Sequence, residues 1–224
     1  MTITLMQPYF FPYLGYFSLI DRVDDFIFFD TVQVTRQTWM TRNRILKQNG
    51  IDWNYIMPEL PKQPLGTTLL ECRLQSGSQW KQKLVGQLQQ YKGFANHYKA
   101  TMALMEEILH VPHTTLVDFN IDSTIKLARY LGLSTHFSRL STLGISYEAA
   151  EDAGKWGLQI SKAVGATVFI NPVGGQTLLD AAGFKQAGIA LGFVENQLSA
   201  YPQGSSVDFV PGLSLIDALM CCGK

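Results

Sequence analysis

The spacing of apolar residues changes several times along the chain, and each change marks a structural element. Thr2–Met6 is a short, β-branched and apolar run that predicts a first strand. It stops at Gln7–Pro8, because a proline disfavours helix in the residue before it. Aromatic residues then crowd together at Tyr9, Phe10, Phe11, Tyr13, Tyr16 and Phe17. A helix is predicted from about Tyr13 to Arg22, with Pro12 acceptable near its first turn. Gly15 costs roughly 1 kcal/mol there relative to alanine, a concession that suits close packing or close approach of a ligand. Phe26 to Phe29 reads as a strand buried on both faces, ended by Asp30. Gln33 to Trp39 is a polar connection, and Asn49–Gly50 is a strong turn signal. Ile51 to Met57 reads as another strand. Pro58, Pro61 and Pro64 open a loop, and Thr67 to Leu74 is read as a further strand.

The period then becomes helical. Trp80, Leu84, Leu88 and Tyr91 recur close to every 3.6 residues within Ser78–Phe94. Tyr98, Met102, Met105 and Leu109 do so within Ala95–Leu109, and Ile125, Leu127 and Leu131 within Asp122–Leu131. Gly132 supplies a C-terminal stop. In the last third a helix over Ser146–Val164 precedes a strand at Ala166–Ile170 and the glycine-rich loop NPVGGQ. A helix over Leu178–Ala187, a strand at Ile189–Val194 and a final short helix over Ser214–Met220 follow. Strands alternating with helices predict an α/β fold, a mostly parallel sheet with helices on its faces. We read residues 1–224 as a single α/β domain with a helical insertion or lobe over about 78–131. Ligands of such sheets sit beyond the carboxyl ends of the strands. The loops after Met6, Phe29 and Ile170 are therefore expected to converge.

Composition narrows the classes. Hydrophobic residues are 46% of the 224, ample for a compact core, and charged residues only 16%. The formal net charge is zero, so nucleic acid or an anionic membrane would have to be attracted by a local patch. So lightly charged a surface is compatible with a homo-oligomer. Cys72, Cys221 and Cys222 have neither zinc-knuckle nor redox spacing and read as reduced thiols of a cytoplasmic chain. The apolar first twenty residues lack a basic start, and Pro8 and Pro12 would break a spanning helix, so neither an export signal nor a membrane span is expected. The cofactor is undefined, for no metal or dinucleotide signature stands in the sequence.

Four cations lie between Thr31 and Gly50 with no acid among them: Arg36, Arg42, Arg44 and Lys47. Guanidinium forks match the oxygen pairs of phosphate or carboxylate. Two readings fit: a patch for a nucleotide, nucleotide sugar or tRNA end, or a face that is simply solvated or whose arginines pair with Asp24, Asp25 and Asp30. Gln7, at a strand end, either reads a polar group of a ligand or ties its own loop. Tyr9, Tyr13 and Tyr16 offer rings and hydroxyls to a base or sugar, although most of the aromatic cluster reads as core. Asp30 either faces a cleft as a base or binding group or pairs with Arg36 or Arg44. Asn171, Gly174 and Gly175 follow a strand, as an anion-binding turn or as a plain connection. Pro112 argues against His110 and His113 as a helical metal pair. No serine nucleophile elbow is present.

The segments QPYFFPYLGYF and DDFIFFDTVQVTRQTWMTRNRI resemble the WbqC-like family, and the likeness extends through YKGF, RLSTLGI, the loop before LLDAAGF, YPQG and the terminal LSLIDALMCCG. It covers nearly the whole chain. The resemblance points to Gln7, Pro8, Tyr16, Asp30, Trp39, Arg42, Asn43 and Arg44, and more weakly to Asp180, Gln203 and Asp217. Two positions depart from the family pattern. Met6 stands where a histidine often precedes Gln-Pro, and Asn171–Pro172 stands where many relatives have Ser-Gly. The family occurs in O-antigen and other surface-polysaccharide (lipopolysaccharide) gene clusters. The resemblance implies a transferase moving an acyl or aminoacyl (glycyl) group to a nucleotide-linked amino sugar, with a charged tRNA as a donor. On that reading Gln7, Asp30 and Asn43 serve the chemistry, and Tyr9, Tyr16, Arg36, Trp39, Arg42, Arg44, Asn171, Gly174 and Gly175 hold substrate. A non-catalytic nucleotide-sugar binding or assembly protein is the first alternative. A nucleotidyltransferase-like enzyme is the second, since the opening strand, loop and helix look like those of HUP-type adenylyl-forming domains.

Overall fold

A computed structural model of the chain describes residues 1–47, 52–77, 79–147, 153–195, 199–204 and 208–224. The expected Asn49–Gly50 turn and part of the helix expected from Ser146 fall on 48–51 and 148–152, outside the described residues. The chain forms two compact units. Met1–Gln7, Gly15–Asp30 and Leu133–Gln197 make the first, and Pro8–Leu14, Thr31–Gly132 and Leu198–Lys224 the second.

The first unit is built on a five-stranded sheet. Its strands are β1 (Thr2–Met6), β2 (Asp25–Phe28), β5 (His136–Arg139), β6 (Val168–Pro172) and β7 (Ala190–Val194), in the order β5-β2-β1-β6-β7. Every neighbouring pair is parallel, as the alternation of strands and helices predicts. Side chains alternate across the sheet with period two. Ile3, Leu5, Ile27 and Phe169 pack on one face with Ile160 of α5 (Ala153–Ala163) and Phe184 of α6 (Ala181–Gln186). Phe26 and Phe28 face the other way, and Tyr16 of α1 (Leu14–Ile20) meets Phe26 with ring centroids 5.1 Å apart. Phe137 of β5 stacks on Phe28 at 5.8 Å. Helices therefore cover both faces, and the strands are buried runs for that reason.

Gly157 is required by packing: a Cβ there would stand 2.8 Å from Phe169 Cζ. That ring is itself held by Phe184, 5.3 Å away. Gly157→Ala is expected to destabilise the protein by about 1 kcal/mol, overpacking outweighing the gain in helix propensity. A urea denaturation midpoint at or above that of the parent would contradict this.

The second unit pairs an antiparallel hairpin with helices. Strand β3 (Asn43–Leu46) lies against β4 (Trp53–Ile56), Arg44 opposite Tyr55 and Leu46 opposite Trp53. The helices are α2 (Gln79–Leu88), α3 (Tyr98–His110), α4 (Leu116–Tyr130) and α7 (Leu215–Cys222). Helix α4 begins six residues before the predicted Asp122. Thr115 caps it, its Oγ1 accepting from Asp118 N–H at 3.2 Å and donating to Asp118 Oδ2 at 2.6 Å. The aromatic loop after β1 is core, as most of that cluster was expected to be. Phe10 and Phe11 are fully buried and pack on Phe119 at 5.6 and 5.5 Å, with Trp80 at 5.2 Å from Phe119.

Two departures from the expected elements have local causes. Thr67–Leu74 forms no strand. Gly66 turns the chain at φ +84°, and Cys72 N–H donates back to Thr68 O at 3.1 Å, leaving only single bridges at Thr68 and Arg73. The glycine-rich stretch after β6 is not an open loop but a 3-10 turn, Val173–Leu178. Helix α6 then starts at Ala181, where the Asp180 side chain accepts from Gly183 N–H at 3.0 Å. No helix among the described residues is long and apolar enough to cross a membrane.

Candidate functional site

The basic segment becomes an arginine face of the β3–β4 hairpin. Arg42 and Arg44 are two residues apart and share one side of the ribbon, as Trp53 and Tyr55 do opposite them. Diagonal neighbours across an antiparallel pair are within reach of long side chains. The Arg42 guanidinium accordingly lies 3.9 Å from the Tyr55 ring centre, and that of Arg44 lies 5.1 Å from Trp53 and 5.3 Å from Trp39. Trp53 and Tyr55 meet edge to face at 4.7 Å. Trp39 is 40% exposed, so the frame opens to solvent at that ring. The Trp53–Tyr55 half of this frame has a sequence signal, Arg-x-Arg followed by Trp-x-Tyr, but the signal has meaning only once the register is known.

Neither arginine has a carboxylate partner among the described residues. Arg44 Nη2 donates to Gly212 O at 3.1 Å, and its Nε is buried with no acceptor among the described residues. The acids that could have neutralised this segment are engaged elsewhere. Asp24 accepts from Thr2 N–H at 2.7 Å, Asp25 from Ser138 Oγ at 2.8 Å, and Asp30 from Ser141. Lys47, by contrast, is neutralised: its Nζ lies 2.6 Å from Asp52, and that bond holds the Asp52 carboxyl below the usual carboxylate range. Arg36 stands apart from the aromatic frame. It is exposed and lines an open groove of about 460 Å³ with Gln33, Gln63, Pro64, Leu65 and Thr67.

Several polar residues singled out in the sequence hold the fold instead. Asn43 lies on the buried side of β3. Its Nδ2 donates to Phe10 O at 3.2 Å and Phe11 O at 2.7 Å, and its Oδ1 accepts from Arg44 N–H at 2.8 Å. Its side chain is thus fully used, and the bond to Phe11 O helps to hold Phe11 at φ +44°, a conformation that needs such support. Asp30 is fully buried, one oxygen accepting from Ser141 N–H at 2.9 Å and the other from Ser141 Oγ at 2.5 Å. It pairs with Ser141 and not with Arg36 or Arg44, the arginines that one of the two readings gave it. Tyr16 is core, and its hydroxyl donates to Gln7 O at 2.8 Å. Tyr9 is half-buried, and burial, with Tyr13 beside it, pushes its phenol above the ordinary tyrosine value, so its hydroxyl stays protonated.

At the carboxyl edge of the parallel sheet stand Gln7, after β1, and Asn171, in β6. Both are half-buried, and the Gln7 side-chain amide has no hydrogen-bond partner among the described residues. Asn171 Nδ2 makes a long 3.3 Å bond to Pro172 O and lies where a Cβ on Gly175 would stand, 2.2 Å away. Gly174 has open space around it.

One constellation was only half visible in the sequence, through the weaker likeness at Gln203 and Asp217. Asp217 of α7 is fully buried and accepts from the Tyr91 hydroxyl, from Tyr201 Oη at 2.7 Å and from Gln203 Nε2 at 3.0 Å. Tyr91 Oη in turn accepts from Leu46 N–H at 2.9 Å, at the end of β3. Burial raises the Asp217 carboxyl above its ordinary value, and burial next to this carboxylate raises both phenols. The network braces β3 from behind. Ser214 adds to it, donating its N–H to Arg44 O at 2.8 Å and its Oγ to Phe11 O at 2.8 Å.

Comparison with known proteins gives a consistent placement. The chain is 24% identical over 227 residues to the uncharacterized protein Rv1507c of Mycobacterium tuberculosis, covering 99% of this chain and 94% of that one. No solved structure matches it. The WbqC-like protein family matches residues 7–224, which take in the hairpin arginines, Asn171 and the Asp217 network, and the chain belongs to that family.

Proposed function

We propose that the protein transfers an acyl or aminoacyl group to the amine of a nucleotide-linked amino sugar in surface-polysaccharide biosynthesis, with the arginine face of the hairpin holding phosphate. The observation that carries this reading is the pair Arg42 and Arg44, framed by rings and left without a carboxylate. Cations held that way are stacked and oriented before any ligand arrives, so little is lost in ordering them around an anion. Beyond its bond to Gly212 O, the Arg44 guanidinium keeps further donors for an oxyanion. Membership of the WbqC-like family supports the choice of pathway. Arg42 and Arg44 bind and neutralise. Asp30 and Asn43 support the fold, and no chemical step is assigned to them.

A second reading is binding without turnover. It is favoured by the engagement of Asp30 and Asn43, which removes two candidate groups for proton transfer and oxyanion support. Incubating the purified chain with UDP- and dTDP-linked amino sugars and glycyl-tRNA separates the two. Transfer predicts a product heavier by one aminoacyl group. Saturable nucleotide-sugar binding with no heavier product would leave only the binding role, and no nucleotide binding at all would end both readings.

A further inference from the structure

The first unit has its own opening, set by where strand pairing stops. In the order β5-β2-β1-β6-β7 the chain runs from β1 outward to β2 on one side and from β6 outward to β7 on the other. The boundary between β1 and β6 is therefore the switch point of the sheet, where open α/β sheets have their crevice. The ladders show that crevice directly. Pairing of β1 with β2 runs to Met6↔Phe28, and pairing of β6 with β7 runs to Pro172↔Val194. Pairing of β1 with β6 ends at Ile3↔Phe169. Three residues of each central strand lie beyond the last pair, so the strands part toward their carboxyl ends.

The side chains at that parting are uncharged. Gln7 follows β1 with its carboxamide unpartnered among the described residues. Asn171 carries a second carboxamide, whose Nδ2 has only its long bond to the neighbouring Pro172 O. Gly175 leaves the space that this amide occupies, and any larger residue would press on it. Pro172 and Val173 add apolar surface, Val173 being 39% exposed. Carboxylates stand at the ends of both flanking strands: Asp30, after β2, is bound to Ser141, and Glu195 follows β7 at the outer edge of the sheet. Two half-buried carboxamides beside apolar surface suit a neutral group that both donates and accepts, since each amide offers two donors and an acceptor. None of these named residues is a cation that would hold a phosphate or carboxylate.

We infer that the crevice between β1 and β6 binds an uncharged, hydroxyl-rich ring, the sugar of an amino-sugar substrate, through the carboxamides of Gln7 and Asn171. The inference takes the kind of substrate from the function proposed above but is independent of the arginine hairpin. Saturation-transfer NMR on the full chain tests it, with methyl N-acetylglucosaminide and methyl N-acetylgalactosaminide as neutral probes and UDP as the charged one. At least one glycoside should bind. Gln7→Ala and Asn171→Ala should each weaken it about tenfold and leave UDP unchanged. Gly175→Ala, which displaces Asn171 while keeping it, should weaken the glycoside too. Circular dichroism of each variant must match the parent, and Gln7→Glu and Asn171→Asp, which keep the side-chain shape, serve where an alanine variant unfolds. Glycoside binding that is absent, or indifferent to all of these variants, would overturn the inference while UDP binding left the proposed function standing. Glycoside binding with these losses but no UDP binding would uphold the inference and overturn the hairpin's assigned role.

Discussion

Asp217→Ala is expected to lower the stability of the protein by about 4 kcal/mol, since it strands several buried donors at once. Tyr91, Tyr201 and Gln203 all donate to that one carboxyl. Alanine offers none of them an acceptor, and each buried unsatisfied donor costs roughly 1–3 kcal/mol. The thermal midpoint should fall by about 10 °C in a chain of this size. Tyr201→Phe removes a single donor and should cost about 1 kcal/mol. The network also gives a pH signature whose sign follows from burial. The folded-state carboxyl of Asp217 is raised above its unfolded value, so the folded protein holds that proton more tightly. Its contribution is fully present below the unfolded carboxylate value and is lost as pH rises through the raised folded value. Over that window Asp217→Asn should flatten the dependence. Urea titrations across the acidic range measure both effects, and an Asp217→Ala midpoint within error of the parent would remove the network from the account.

The Arg42→Ala, Arg44→Ala double variant is expected to weaken nucleotide-sugar binding by on the order of 100- to 1000-fold, because each charge-assisted pair contributes roughly 1.5–3 kcal/mol. Its effect on folding should be small. The pair loses stacking on Tyr55, Trp53 and Trp39 and one bond to Gly212 O, together about 1–2 kcal/mol. Lysine should not restore binding, as an ammonium neither stacks flat on a ring nor presents a fork of donors. Raising salt should weaken the parent far more than the variant. Calorimetry with UDP- and dTDP-linked amino sugars decides. Equal affinities of parent and double variant would contradict the role given to the hairpin.

Much of the fold could be read from hydrophobic pattern because the strands of the parallel sheet are apolar on both faces. Strands β1, β2, β6 and β7 and helix α1 lie within a residue or two of their predicted places. Strand β5, His-Phe-Ser-Arg, is a short edge strand, and four residues of mixed polarity carry no period. Strand β3 was hidden in Asn-Arg-Ile-Leu, whose two polar residues point to opposite sides, Asn43 inward and Arg44 toward the aromatic rings. Of the site, Arg42 and Arg44 were legible as cations without acids nearby. Trp39 of their aromatic frame was also singled out, but Trp53 and Tyr55 were not, because they reach the arginines through pairing register. Asp30 and Asn43 show why residue type alone misleads. A polar group at a strand end serves substrate or backbone according to its partners, and Ser141 lies 111 residues from Asp30. Asp217 and Tyr91 are 126 residues apart, and neither has a local pattern that announces the other.

The most direct test watches the orphaned donor itself. In a ¹⁵N spectrum of arginine side chains, the Arg44 Nε–H resonance, assigned through Arg44→Lys, is followed during titration with a nucleotide-linked N-acetylhexosamine. A saturable shift of Arg44 Nε–H, accompanied by Arg42, is the predicted result. Saturable binding of that ligand with the Arg44 and Arg42 resonances unmoved would contradict the claim that this hairpin is where the anion is held.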